Sequence, residues 1–373
     1  MRKGWYGCAL AVLVASGATH AATQATRCSW PAWEQFKTDY LSDQGRVIDP
    51  SDARQITTSE GQSYALFFAL VADDQATFDK VLGWTQNNLA QGALADHLPA
   101  WLWGKNKDNQ WLVLDTNSAA DADMWIAWAL LEGGRLWGND HYTQLGEQLL
   151  SRIGKEEVAS VPGLGTVLLP GKTGFVHKDS WRLNPSYLPP QVLARMVRYH
   201  APWSEMQTAN NALLVATSPK GYVPDWVTWH KGSGWQMDPQ PPLVGSYDAI
   251  RVYLWAGMLS DKDPDKATLL NHFTPMLEAT ARRGAPPEKT GVADGTLTND
   301  GPVGFSAALL PAMQDNPALS IQRQRLADNF PARDAYYNYV LALFGQGWDQ
   351  QRYRFTVNGE LVRHRDTTCA SSH

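Results

Sequence analysis

Apolar residues recur at helical spacing along most of this chain, and the rhythm breaks in only a few places. Trp33, Phe36, Tyr40 and Leu41 share one helical face. From Ser59 to Ala72 the residues are apolar on nearly every side, the pattern of a helix enclosed all round. Ser59 and Gln62 have capping-box spacing, which puts Glu60 at the mouth of that helix, one residue inside the cap. Phe78, Val81, Leu82, Thr85 and Leu89 mark a third helix. A long loop follows through His97 to Gly104. A fourth helix covers 121–137, with Met124, Ala127, Trp128 and Leu131 on one face. Tyr142, Leu145, Leu149 and Ile153 make a fifth.

Residues 161–182 lose the helical period. There 166–169 and 175–177 are predicted to pair as a hairpin across 170–174. Pro189 and Pro190 then open a sixth helix with Val192, Leu193, Met196 and Val197 inside. Further helical stretches lie near 203–217, 246–259, 266–282, 305–313, 318–329 and 334–346. A small hairpin closes the chain around Asn358-Gly359. The total is roughly twelve helices without an alternating strand pattern, which argues against a doubly wound sheet. Twelve helices over one core fit an all-α fold, an (α/α)6 barrel of six helix pairs with small β-hairpin additions. A helical solenoid is the rival, and no fixed-period repeat supports it.

The ends and the composition narrow the setting. Arg2 and Lys3 precede the short apolar run 8–14, and small residues lead to a cut after Ala21 or Ala22. We read 1–21 as an export signal and 22–373 as one barrel domain, placed in the periplasm or secreted, without stable membrane insertion. The formal net charge is −5, and removing the leader takes away two more cations. Such a chain is a poor nucleic-acid partner. Cys28 and Cys369 remain after cleavage, and either a disulfide between the ends or two free thiols fits an oxidising compartment.

The aromatic content stands out, with 17 Trp, 13 Tyr and 10 Phe. Trp101, Trp103, Trp111, Trp181, Trp226, Trp229 and Trp235 lie in polar, Gly- or Pro-rich stretches. Any one of them reads as core. As a group they suit stacking on the apolar faces of sugar rings. Acidic residues cluster at predicted helix starts: Glu60, the Asp121/Asp123 pair and Asp248. Each also serves simply as a partner for a helix dipole. If the barrel gathers those ends on one face, the acids meet in one groove. Other chemistries find no support. Gly171-Lys172-Thr173 lacks the earlier glycine of a phosphate loop, since position 166 is Thr. No HExxH or Gly-x-Ser-x-Gly pattern occurs, so neither a metal site nor a serine elbow is expected.

The stretch 119–137, Ala-Ala-Asp-Ala-Asp-Met-Trp-Ile-Ala onward, resembles the signature of glycoside hydrolase family 8, departing at Ala120 and Gly133 without losing a carboxylate. The resemblance extends, in order, to Ser59 through Tyr64, Asn184 through Tyr187, and Ser246 through Arg251. Within the family the chain is most similar to the periplasmic endoglucanases of bacterial cellulose synthase systems. The resemblance implies an (α/α)6 barrel with an open groove, inversion at the anomeric carbon, and no metal or organic cofactor. It implies Glu60 as general acid, Asp248 as general base, and Asp121 as the residue holding the distorted sugar. Tyr187 and Arg251 would orient the base and water, and Tyr247, Trp101, Trp103 and Trp181 would line subsites. Asp248 in its motif favours glucan or xylan over chitosan.

An inverting pair stands roughly 6.5–9.5 Å apart, leaving room for the attacking water. A helix N-terminus alone favours the ionised form of Glu60, so burial or nearby Asp121 must raise its pKa if it is to serve as the acid. The implied partner is a β-1,4-glucan chain, cellulose or cello-oligosaccharides, in functional association with cellulose synthase machinery. Two alternatives stay open at this point: a non-hydrolytic glucan-binding component of an export apparatus, and a xylanase or mixed-linkage glucanase.

Overall fold

The computed structural model of the chain describes residue 1, residues 30–237 and residues 239–363. The rest of the expected leader after Met1, and the Cys28–Cys369 pair, lie outside the described residues. Six helices form an inner ring: α2 (Ser59–Ala72), α4 (Ala120–Trp137), α6 (Pro190–Met196), α8 (Ile250–Met258), α11 (Val303–Leu309) and α13 (Tyr336–Asp349). Neighbours in that order pack on one another. Phe344 closes the circle against Tyr64, Phe67 and Phe68, with ring centroids 5.0, 5.0 and 4.8 Å apart.

Each inner helix carries an outer partner. These are α3 (Gln75–Leu89), α5 (Asp140–Glu156), α7 (Trp203–Ala216), α9 (Pro264–His272) and α12 (Leu319–Asp328), on α2, α4, α6, α8 and α11. The sixth partner is α1 (Pro31–Tyr40), from the other end of the chain, which packs on α13. The result is an (α/α)6 barrel. Burial follows position in the ring. In α2 every residue except Glu60 and Ala72 is buried. In outer α5 only a stripe is buried: Tyr142, Leu145, Gly146, Leu149, Leu150 and Ile153. An aromatic plug fills the axis, where Trp125 meets Phe67 at 5.3 Å and Trp255 at 5.6 Å. Burying each such ring contributes about 1.5–3 kcal/mol.

Four local expectations need correction. Thr58, not Ser59, caps α2, its hydroxyl accepting from Gly61 N–H at 3.0 Å. Gln62 makes no capping box. Its amide accepts from Val47 N–H at 2.7 Å and donates to Gly45 O and Thr85 Oγ1, stapling the preceding loop to α3. The predicted hairpin across 170–174 is two hairpins. β4 (Val158–Val161) pairs with β5 (Gly165–Leu168), and β6 (Val176–His177) with β7 (Ser180–Leu183). Gly163 and Gly165 supply the positive φ that the first turn requires. Residues 170–174 instead brace the start of α4, with Ala120 N–H donating to Pro170 O. The stretch 266–282 splits at Phe273 into α9 and α10 (Thr274–Arg283), because Pro275 bars a continuous helix. Helix α8 starts at 250 rather than 246, because the N–H groups of Ser246, Asp248 and Ala249 all donate to Asp225 Oδ1.

Small sheets shape the rim. β1 (Thr57–Thr58), β2 (Leu102–Lys105) and β3 (Trp111–Asp115) form one sheet, with Thr57 opposite Trp103. β7 continues through β8 (Val227–His230) to β9 (Gly234–Trp235). β10 (Val244–Gly245) pairs with β11 (Pro287–Gly291), and β11 with β12 (Leu297–Asp300). The closing hairpin forms as expected from β13 (Tyr353–Phe355) and β14 (Leu361–Arg363). It is pinned by buried Glu132, which accepts from Leu361 N–H at 2.8 Å and from Arg195 Nε at 2.6 Å. No helix among the described residues is long and apolar enough to cross a membrane.

Candidate active site

The first turns of α2, α4, α8 and α13, with the loop before α6, meet at one end of the ring. Arg251, on the first turn of α8, is the hub. Its Nη1 donates to Glu60 Oε2 and stands 4.0 Å from Asp121 Oδ2. Its Nη2 donates to Asp248 Oδ1 and to Ser186 Oγ, both at 3.0 Å. Carboxyls from α2, from α4 and from the turn that precedes α8 therefore surround one guanidinium. Because Glu60 and Asp248 accept from the two ends of one planar fork, their oxygens lie less than roughly 8 Å apart.

Accessibility separates the acids. The Glu60 side chain is 25% exposed and that of Asp248 32%, while Asp121 and Arg251 are 5% and 4% exposed. Glu60 and Asp248 face the open end of the ring, and Asp121 is set into its floor. Burial, reinforced by the charge of Glu60 and opposed by Arg251, pushes Asp121 up to about 8. The protonated form of Asp121 is thereby favoured at neutral pH, and its Oδ1 has no hydrogen-bond partner among the described residues.

The aromatic plug reaches this cluster. Trp255 Nε1 donates to Ser186 O at 3.0 Å, which fixes the residue that receives Arg251 Nη2. Tyr187, half-buried, lays its ring 5.9 Å from the guanidinium. Burial and the carboxylates raise its hydroxyl pKa, so it stays a neutral donor. Three contributors had no role in the sequence reading: Ser186, Tyr64 and Tyr337. Tyr64 lies 3.5 Å from Arg251 Nη1, and Tyr337 donates to Tyr247 O at 2.7 Å. Ser186 sits inside a quoted motif. Tyr64 likewise ends the stretch Ser59 through Tyr64 that carries the family resemblance, whereas Tyr337 reads as an ordinary helix residue that only the ring geometry singles out.

The expected subsite aromatics fall into different surroundings. Trp101 is half-buried, and its carbonyl accepts from Ser59 N–H, which places it beside the Glu60 turn. Trp103 is half-buried and stacks on exposed Trp111 at 5.3 Å and 11°, with the Arg46 guanidinium 4.4 Å from its ring. Tyr247 is exposed, edge-on to Phe305. Trp181 is buried, 9% exposed, and offers little ring face to solvent. Trp226, stacked on Phe175 at 5.9 Å and 2°, stands beside Tyr187 instead.

Behind the floor lies a second pair of acids. Asp123, two residues after Asp121, faces Glu157 at the end of α5, and both are fully buried. Ser118 Oγ donates to Glu157 Oε1 and accepts from Lys172 N–H. Neither oxygen of Asp123 has a donor among the described residues. Two facing carboxyls this deeply buried cannot both ionise, so the pair shares a proton. Burial, then the neighbouring Glu157 charge, raises Asp123, and burial lifts Glu157 to about 7. Both folded values lie above the unfolded ones, so the native state holds more protons. The resulting stability is full below about pH 4 and is lost as pH rises to about 7. The melting temperature is therefore expected to fall between pH 5 and 8. Glu157→Gln, whose amide donates to an ionised Asp123, should flatten that fall by about 2 °C per pH unit. Parallel slopes for the two proteins in a calorimetric pH series would overturn the shared proton.

The model of glycosyl hydrolases family 8 matches residues 7–351. A protein named Endoglucanase from Escherichia coli strain K12 is 60% identical over 346 residues, covering 93% of this chain and 94% of that protein. One of the same name from Xanthomonas axonopodis pv. citri strain 306 is 48% identical over 352 residues, covering 92% and 91%. The crystal structure of endo-1,4-D-glucanase from Vibrio fischeri ES114 superposes with a TM-score of 0.87 at 50% identity, covering 90% of this chain and 99% of that one.

Proposed function

The chain belongs to glycosyl hydrolases family 8, and from that membership we propose that it is an endo-β-1,4-glucanase cutting cellulose internally with inversion. The carrying observation is the convergence of Glu60, Asp121 and Asp248 on Arg251 at the open end of the ring. In this reading Glu60 gives its proton to the leaving glycosidic oxygen. Asp248 takes a proton from the water that attacks the anomeric carbon from the other face. Net transfer runs from Glu60 to Asp248, and solvent resets both. Asp121, held in the floor, binds the hydroxyls of the distorted sugar at the cleavage point. Arg251 keeps the two reacting carboxyls aimed, and Tyr187 orients the water. Trp101, Trp103 and Tyr247 offer ring faces for neighbouring sugars. A purely glucan-binding protein has no need of this acid–base pair.

We also read residues 22–373 as one catalytic unit following a cleaved export signal. It would act in the periplasm by trimming nascent cellulose beside the synthase machinery. The basic start, the short apolar run and the family resemblance support that setting.

The test is hydrolysis of a soluble cellulose derivative, xylan and chitosan by the purified chain. Product anomers are read by NMR before mutarotation. Rapid loss of viscosity on the cellulose derivative with the α-anomer appearing first is the expected result. The β-anomer first would remove inversion, and cleavage mainly of xylan or chitosan would remove the glucanase assignment.

A further inference from the structure

We propose that Asp225 is a positioning residue for the reaction, aiming Asp248 by holding the backbone of the turn 246–249; the inference rests on Asp248 being the base. Asp225 lies 23 residues upstream of Asp248. Its Oδ1 accepts from Ser246 N–H at 2.8 Å, Asp248 N–H at 3.1 Å and Ala249 N–H at 2.8 Å. Three donors on one carboxylate oxygen is the arrangement of an anion held in a backbone nest. Here the anion belongs to the protein and comes from a remote segment. It also ends the upstream run of α8, so that Asp248 sits on a turn and not within the helix.

The remaining attachments of the turn lie on its other sides. Ser246 Oγ donates to Glu288 O at 2.7 Å, and Tyr247 O accepts from Tyr337. Behind it, Gly245 pairs with Thr290 and passes so close to Val223 O that a Cβ would stand 1.9 Å from that oxygen. Asp225 is itself braced, its N–H donating to Val244 O at 2.9 Å, while its neighbour Trp226 stacks on Phe175. Asp248 is consequently fixed at two points, its N–H by Asp225 and its carboxylate by Arg251 Nη2. Removing Asp225 leaves three N–H groups of the turn unpaired and frees one of the two points. Misplacement of a reacting group by about 1 Å costs about 100-fold in rate.

Asp225→Ala and Asp225→Asn are compared with the parent and with Asp248→Asn, measuring kcat and KM on cellopentaose together with melting temperature. Asp225→Ala is expected to lose about 100-fold in kcat with KM within about two-fold. The carboxamide oxygen of Asp225→Asn accepts from the same N–H groups and should restore kcat to within about five-fold of the parent. A merely structural role predicts instead a lowered melting temperature with kcat per folded molecule unchanged. If Asp225→Ala does not fold, Asp225→Ser decides, since its hydroxyl falls short of the three donors: kcat lost while Asn retains it supports the role. Full kcat in Ala or Ser, or equal loss in Asn and Ala, overturns it. Asp248→Asn separates the two readings. An active Asp248→Asn removes the base itself, whereas an inactive Asp248→Asn beside a fully active Asp225→Ala removes only the positioning role.

Discussion

Glu60→Gln is expected to lower kcat on cellulose by at least about 1000-fold and to leave cello-oligosaccharide affinity within about two-fold. The amide keeps the shape of the side chain and still accepts from Arg251 Nη1, so the turn and its neighbours have no reason to move. With Glu60 as the proposed acid, what disappears is the proton for the leaving oxygen. That loss depends on the leaving group. An aryl β-cellobioside with a strongly acidic phenol departs without protonation, and on it Glu60→Gln should lose less than about ten-fold. With Asp248 as the proposed base, Asp248→Asn should be inactive on both substrates. Steady-state kinetics on the two substrates, with binding by calorimetry, give the full comparison. A Glu60→Gln enzyme still active on cellulose, or one equally impaired on the aryl substrate, would take the acid's role away from Glu60.

The second large effect is at Arg251. Arg251→Met deletes a cation that faces three carboxyls, and with it the contact to Ser186. The Arg251 side chain is 4% exposed, so water cannot replace the lost charge. Breaking a buried charge network from one side costs about 3–5 kcal/mol, a drop of about 10 °C in melting temperature. The loss should be larger at pH 8 than at pH 5, because Asp121, at about 8, still carries its proton at the lower value. Activity should fall at least about 1000-fold. Arg251→Lys supplies charge without the fork that spans Glu60 and Asp248. It should recover much of the stability and little of the rate. An Arg251→Met protein as stable as the parent would show that the carboxyls need no common partner.

The fold was legible because the inner and outer helices carry different patterns. The continuous apolar run of α2 and the one-sided stripe of α5 announce a two-layered helical ring. The acids were legible as residues at helix starts within recognisable motifs. Their meeting point was not, since it depends on which helix ends share a face. The errors came where long-range contacts overrode local signals. Gln62 has the spacing of a capping box, yet its amide finds better partners in the 45–47 loop and on α3. Asp225 sits between Pro224 and Trp226 with no local motif, and its role exists only through the turn it reaches. Trp181 looked like a loop aromatic because β7 is short and polar around it, but the strand turns its ring inward.

The pairing of α1 with α13 has a consequence for how the molecule comes into being. Tyr40 donates to Ala332 O and Tyr339 to Ala32 O, contacts that span almost the entire described chain. The reacting cluster likewise draws on residues from Glu60 to Tyr337. As the polypeptide is synthesised from its amino end, the first outer helix packs on α2 early but waits for the last inner one before its burial is complete. Such distant closure is the slow part of assembly. No fragment that stops short of α13 contains a complete ring, so the capacity to cut a glucan arrives only when the final helix takes its place.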